Sequence, residues 1–315
     1  MSDEAHDEPS LCLAVDVGGT KLAVGLVEEE GGLVWQDRVR TPQASDPEAL
    51  FRIVADLVEI AVAAAAGRGA LVACGIGCGG PMSNGLVSPI NIPAWRGFPL
   101  AARVGGLCEL RDAGIPVGID NDAKALALAE GWCGAAIGRR NFLAMVVSTG
   151  VGGGIVLDGR LLEGAAGNAG HIGHVIVEPD GQQCGCGARG CLEAEVSGTA
   201  IQAITGGAPE DASPEVQERC GRLVGRAVAS VANLLDLPLA LVGGSVALGY
   251  GLRFFMAAQR ELDASARLAF SKECRIEPVG LGKEGPLVGA GAVGWQAAGR
   301  SLLSAKAAEQ GEMVL

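Results

Sequence analysis

Two stretches of this chain carry the same local pattern, and that duplication limits what it can fold into. In the first, residues 11–17 are a short apolar run, Gly18, Gly19 and Thr20 form a turn, and residues 21–27 return. A second turn at Glu30, Gly31 and Gly32 leads into residues 33–40. In the second stretch, residues 142–148 are the strand, 149–154 a glycine turn, 155–157 the return, Asp158 and Gly159 the next turn, and 160–162 the third strand. The copies start about 130 residues apart, which predicts two related α/β lobes, each opening on a three-stranded meander. Asp46 and Pro47 predict the start of a helix running to residue 66, as N-cap and first-turn proline. Further strands are expected at 71–77, 117–120, 239–242 and 276–280. Further helices are expected from Asn121 and Asp122 to 136, from Ser213 to 236, over 251–269, and from Gly285 to 305. Residues 79–99, rich in Gly, Pro, Asn and Ser, read as a long functional loop.

A glycine turn between antiparallel strands presents bare backbone N–H groups to an anion. The first turn holds Asp16, Gly18, Gly19, Thr20 and Lys21; the second holds Ser148, Thr149, Gly150, Gly152 and Gly153. A third site, Gly243, Gly244 and Ser245, follows an apolar strand and precedes a helix. The Gly-x4-Gly-Lys-Ser/Thr spacing of a P-loop is absent. Three such turns, two of them in matching positions, suggest a bound nucleotide.

Between residues 174 and 191 the chain places His174, Cys184, Cys186 and Cys191. One imidazole and three thiolates can close a tetrahedral zinc shell, and closed nitrogen/sulfur shells are usually structural. The neighbouring polar residues His171 and Glu193 would be held rigidly by such a knot. The remaining cysteines lie mostly in apolar runs and read as small hydrophobic residues.

Composition narrows the function further. With 3% aromatic residues and a net charge of −12, the chain lacks the stacking surfaces and positive field that nucleic-acid binding requires. The first ten residues are acidic and polar, unlike a signal peptide, and no apolar run is long enough to span a bilayer. Ten cysteines without a leader are expected in a reducing, cytoplasmic setting, with no membrane partner.

The motifs taken together resemble the ROK family of sugar kinases and repressors. The resembling pieces are Asp16-Val-Gly-Gly-Thr-Lys21, Asn121-Asp122-Ala123, Ser148-Thr-Gly-Val-Gly-Gly-Gly154, the zinc segment ending at Glu193, and Val242-Gly-Gly-Ser245. The resemblance implies a two-lobed actin-like ATPase (ribonuclease H-like) α/β fold with a zinc-binding loop. It implies ATP with Mg2+, a structural Zn2+, and a homodimer. The N-terminal lobe is expected to cover 1–121, completed by a terminal helix at 296–315, and the C-terminal lobe 122–295. The implied activity is transfer of the γ-phosphate to a hexose hydroxyl, generally the 6-hydroxyl. The implied base is Asp122, and the implied sugar contacts are Gly80, Asn91, Asn121, His171, His174 and Glu193. His174 would then serve zinc and sugar together, although a metal-bound nitrogen cannot also accept a proton.

The residues are consistent with that chemistry. Phosphoryl transfer needs a positioned hydroxyl, neutralised phosphates and a carboxylate to take the proton. Asp122, at a helix start beside an amide, suits the last role, though it also suits a plain N-cap. Asp16 is read as ordering magnesium-bound water or the first phosphate turn.

Many ROK glucokinases carry Gly-Glu-x-Gly-His where this chain has Gly170-His171-Ile172-Gly173-His174. Bacterial N-acetylmannosamine kinases are similar at 169–174 and 243–246, whereas 91–100 looks like the sugar loop of glucose-using members. A glucokinase-like activity is the first expectation and an N-acyl hexosamine kinase the second. A ROK repressor would need a helix-turn-helix domain before the first turn, and only about ten acidic residues stand there, so that reading is disfavoured.

Overall fold

The strand β1 (Ser10–Val17) is buried along almost its whole length, because it is flanked on both edges and covered on both faces. In the computed structural model, which describes residues 8–42 and 46–303, the chain divides into two units. One holds the described residues up to 125 together with 284–302; the other holds 126–283 and residue 303. Each buries its own hydrophobic core.

In the first unit β1 pairs antiparallel with β2 (Lys21–Glu28), which pairs with β3 (Leu33–Arg40). The helix α1 (Pro47–Ala65) follows, with the Asp46 carboxylate accepting from the Glu48 N–H at 2.9 Å. Its apolar stripe, Leu50, Val54, Leu57, Val58 and Ala61, is buried on one face of the sheet. Then come β4 (Ala70–Cys78), a small hairpin of β5 (Met82–Ser83) and β6 (Leu86–Val87), the short helices α2 (Leu100–Gly105) and α3 (Cys108–Arg111), and β7 (Val117–Asn121). The strand order is β3-β2-β1-β4-β7, with β1, β4 and β7 parallel. Their register places Val17, Cys78 and Asn121 side by side, so the three loops that follow leave the same end of the sheet. The helix α4 (Asp122–Cys133) starts directly after β7.

The expected loop at 79–99 is only partly irregular. Besides the hairpin it contains a single 3-10 turn at Pro93–Trp95. Trp95 is fully buried, donates to the Pro47 carbonyl at 3.1 Å and stacks on Phe98 at 4.7 Å. The aromatic residues of this stretch therefore belong to the core.

The second unit repeats the first. β8 (Phe142–Val147), β9 (Val151–Leu157) and β10 (Arg160–Leu161) form the meander, followed by the short helices α5 (Leu192–Val196) and α6 (Gly198–Thr205), the long helix α7 (Pro214–Leu235), β11 (Leu239–Gly243), α8 (Ser245–Ser265) and β12 (Arg275–Pro278). The order β10-β9-β8-β11-β12 mirrors that of the first sheet, again with a meander on one side and two parallel strands on the other. The helix α8 begins at Ser245, six residues before the expected start, and bends at Gly251, whose φ is 55°.

Two sequence expectations need correction. Gly152, Gly153 and Gly154, expected in the turn, lie in β9 opposite Val146, Met145 and Ala144. A side chain at Gly153 would run into Ile172 and the Gly170 carbonyl, so the absent side chain serves packing. The last helix, α9 (Gly285–Ala297), packs on β4, β1 and β7, so residues 285–295 belong to the first unit and not to the C-terminal lobe. The contact is backbone on backbone: side chains at Gly75 or Gly294 would collide with the facing main chain. The helix ends at Ala297, and the rest of the expected terminal helix, from 304, lies outside the described residues. No helix among the described residues is long and apolar enough to cross a membrane.

Candidate active site

At the end of β1 the chain must reverse within Gly18, Gly19 and Thr20. The Gly18 N–H donates to the Lys21 carbonyl at 3.0 Å, and the Thr41 hydroxyl donates back to the Gly18 carbonyl at 2.7 Å. Gly19 and Thr20 are exposed, and a side chain at Gly19 would strike the Cβ of Asn91. Asn91 is thus placed beside the first turn. Asp16, just before the turn, is 5% exposed and faces the Lys21 ammonium at 3.6 Å. Burial pushes its carboxyl up to about 6; Lys21 opposes that shift and the nearby Asp122 adds to it. Asp16 and Asp122 also push the buried Cys78 thiol upward, after burial itself.

Asp122 opens α4 directly after β7. Its Oδ1 accepts from the Ala123 N–H at 2.8 Å, and a Cβ on Gly79 would lie 3.2 Å from its Oδ2. A carboxylate at a helix N-terminus is favoured by the helix dipole. The Asn121 side-chain oxygen, Oδ1, accepts from the Ala123 and Lys124 N–H groups at 3.0 and 3.4 Å, and its side-chain Nδ2 donates to the Gly80 carbonyl at 3.3 Å. Asn121 therefore caps the helix, leaving one amide N–H for a ligand. Gly80 has φ 88° and abuts Ser88 and Pro89, which only glycine tolerates. Asp16, Gly18, Gly19, Gly80, Asn91, Asn121 and Asp122 are thus gathered at one end of the first sheet.

In the second unit the turn Ser148, Thr149, Gly150 is closed by the Ser148 N–H on the Gly150 carbonyl at 2.9 Å. Gly244, at φ 94°, lies against the Val147 main chain. This brings the Ser245 hydroxyl to 3.0 Å from the Ser148 hydroxyl, so the second and third glycine sites meet. They open on a cleft of about 550 Å³ lined by Ser148, Thr149, Thr199, Gln217, Ser245 and Tyr250. Glu193 reaches the same turn: its Oε2 accepts from the Val151 N–H at 2.9 Å and leaves no room for a side chain at Gly150.

His174, Cys184, Cys186 and Cys191 converge, their donor atoms all within 4.8 Å of one another. The His174 Nδ1 is 3.7 Å from the Cys184 Sγ, and the Cys186 and Cys191 sulfurs are 3.7 Å apart. A zinc tetrahedron with Zn–S bonds near 2.3 Å has edges of about 3.7 Å, so the donor set fits that ion. Burial holds the Cys191 thiol up at about 12, while the Ala188 N–H draws Cys186 down. Gly190 lets the loop turn tightly at φ 72° against the Glu178 carbonyl. Buried Glu195, paired with Arg219, accepts from the Gln182 N–H at 2.5 Å and ties the loop to α7. His171 lies beside the cluster, its ring stacked on His174 with centroids 6.3 Å apart. Its Nδ1 is 2.9 Å from the Asn168 carbonyl. A carbonyl only accepts, so this nitrogen carries the proton and Nε2 of the neutral ring is an acceptor.

The ROK family model matches residues 12–296. The chain belongs to the ROK family. It is 34% identical over 297 residues to an N-acetylmannosamine kinase of Haemophilus influenzae, across 89% of this chain and 93% of that protein. Among solved structures, a ROK hexokinase from Thermus thermophilus superposes with a TM-score of 0.74 at 32% identity, covering 91% of this chain and 98% of that one. A ROK family glucokinase from Streptomyces griseus, solved with glucose and AMPPNP, superposes with a TM-score of 0.75 at 29% identity, covering 91% and 99%. This chain is a ROK-family sugar kinase, close to kinases of glucose and of N-acetylmannosamine.

Some residues of this ROK kinase had no sequence signal for a role. Thr41 and Thr199, which hold the two turns through Gly18 and Thr149, stand outside any motif. Asp120 and the buried Lys124 flank Asn121 and Asp122 and pair at 3.0 Å. A lysine one turn into an Ala-rich helix reads as a solvated charge, and only the packing shows otherwise.

Proposed function

We propose that this ROK kinase transfers the γ-phosphate of ATP to the 6-hydroxyl of an N-acyl hexosamine, with N-acetylmannosamine as its substrate. One observation carries the choice of sugar: the 34% identity to N-acetylmannosamine kinases extends across 93% of the Haemophilus influenzae protein. The His171 that replaces the glucokinase glutamate supports it, because a neutral imidazole offers one acceptor where a carboxylate offers several. Glucose is the second reading, favoured by residues 91–100 and by the glucokinase from Streptomyces griseus.

Asp122 is the base that takes the proton of the attacking hydroxyl as the phosphate transfers. Asn121 offers its remaining amide N–H to a sugar oxygen. With Nδ1 turned to the thiolates, His174 carries its proton on Nε2 and donates to a sugar hydroxyl, while His171 accepts at Nε2. Glu193 orients the second phosphate turn through Val151 and is the remaining acidic sugar contact. The N–H groups of the turns at 18–20, 148–150 and 243–245 bind phosphate oxygens, with Lys21 adding charge. Magnesium bound with ATP neutralises phosphate charge, and Asp16 is the residue suited to hold its water. His174, Cys184, Cys186 and Cys191 are the residues that would hold zinc, which would fix the loop that carries His171.

The test is coupled ADP release with N-acetylmannosamine, N-acetylglucosamine, mannose, glucose and allose. The expected kcat/KM for N-acetylmannosamine exceeds that for glucose by about tenfold or more, in the range a few pocket contacts supply. His171→Glu is expected to move the ratio toward glucose by about tenfold. A wild-type preference for glucose returns the assignment to glucokinase.

A further inference from the structure

We propose that the pair of Asp120 and the buried Lys124 is a positioning device for the catalytic turn, setting the aim of Asp122 from both sides; this rests on the reading of Asp122 as the base. Asp120 is the penultimate residue of β7, and Lys124 is the third residue of α4. The two site residues, Asn121 and Asp122, lie between them. The Asp120 Oδ1 accepts from the Asn121 N–H at 2.7 Å and from the Lys124 ammonium at 3.0 Å. One carboxylate oxygen thus grips the last strand residue and the first helical turn together. The strand-to-helix junction is closed like a staple across the residue it presents.

The placement makes little sense as a stability feature. The Lys124 side chain is 1% exposed and that of Asp120 19%. Burying an ammonium costs desolvation that ion pairing often fails to recover. The first turn of a helix is also the end where the dipole disfavours a cation. The pair opposes both tendencies at the one junction where a side chain must be aimed. What it supplies is geometry: a charge-assisted bond is shorter and stronger than a neutral one, and so holds its two ends in a defined position. The rest of the junction is held by the Asn121 side-chain oxygen on the Ala123 and Lys124 N–H groups, which caps the helix but leaves its angle to β7 less constrained. Small displacements of a base from its hydroxyl cost rate far more than binding.

The test compares wild type, Asp122→Asn, Asp120→Asn, and the double variant Asp120→Asn with Lys124→Met. The double variant removes both charges of the pair at similar volume. Thermal melting and sugar KM of the double variant are expected to stay near wild type while kcat falls at least tenfold. Asp120→Asn, which keeps an acceptor for the Asn121 N–H, is expected to lose at least threefold in kcat with KM unchanged. A kcat within twofold of wild type in either variant overturns the proposal, and so does a loss confined to KM. If Asp122→Asn itself keeps full activity, the assignment of the base has failed instead. A dead Asp122→Asn beside a fully active double variant sinks only the positioning role.

Discussion

The two units share one strand order and one position for their glycine turn, yet furnish that turn with different chemistry. In the first, the turn after β1 is surrounded by ionisable groups: Asp16 and Lys21 beside it, and Asp122 at the neighbouring helix start. In the second, the turn after β8 carries the hydroxyls of Ser148 and Thr149, meets the Ser245 hydroxyl that opens α8, and is braced by Glu193 through the Val151 N–H. A duplicated scaffold carries ionisable groups at one turn and neutral hydrogen-bonding groups at the other. A bare glycine turn binds an anion through backbone N–H groups alone. What is added around it decides whether it reacts or merely holds.

That contrast can be broken at its strongest point by Asp122→Asn, which should lower kcat by about 10³-fold, within the range for loss of a positioned base. Melting temperature should hardly move, since α4 is capped by the Asn121 side chain, which the substitution leaves in place. Steady-state ADP release and a thermal melt of the same sample decide it, and a loss under tenfold puts the base elsewhere.

The His174, Cys184, Cys186 and Cys191 cluster offers the corresponding probe of the other copy. Chelation under reducing conditions should cost several kcal/mol of stability, because the loop has little apolar content to hold three thiols together without an ion. Amide exchange should rise across 171–196 and stay unchanged in β1 and β4. Equal exchange in both regions would mean that the loop is not organised by metal.

A smaller effect distinguishes the charged turn by pH. The Asp16 carboxyl is raised from 3.8 to about 6 by burial, so the folded state favours its protonated form. Its contribution to stability is complete below 3.8 and is lost as pH rises through about 6. The upper bound is about 3 kcal/mol, from 1.36 kcal/mol per unit. Asp16→Asn stays neutral and should flatten that decline. Denaturant melts between pH 3.5 and 7 test this, and a slope identical to wild type assigns the titration to another group.

The smallest expected change is in the neutral turn. Replacing Ser148 and Ser245 by alanine removes two hydroxyls worth about 1 kcal/mol each, so KM for ATP should rise roughly fivefold to thirtyfold with little change in kcat. A drop in kcat comparable to that of Asp122→Asn would erase the division of labour between the copies.

The duplicated meander was legible because alternation and glycine turns are local signals, read within eight residues of one another. The cysteine spacing was legible because the ligands of a metal knot must lie close in sequence when the loop is short. The limits of these signals were also local. A run of Ser148 to Gly154 looks like one long glycine turn until Ile172 packs on β9 and shows that half of it is strand. Residues 91–100 look like a sugar loop, yet Trp95 within them is stacked on Phe98 in the core. The preference between glucose and an N-acyl hexosamine was not set by any single motif, because His171 and residues 91–100 point in different directions.

By itself, the sequence determined which residue types lie next to each glycine turn, the spacing of the metal ligands and the order of the elements. Those follow from chain connectivity and from preferences of one or two turns' reach. Only the tertiary structure decided that the helix completing the first unit is α9, at 285–297, packed on the sheet through glycines on both sides, and that Lys124 is buried against Asp120 instead of solvated. Both depend on contacts across elements, where the cost of burying a charge or opening backbone to backbone is set by neighbours that no local pattern names.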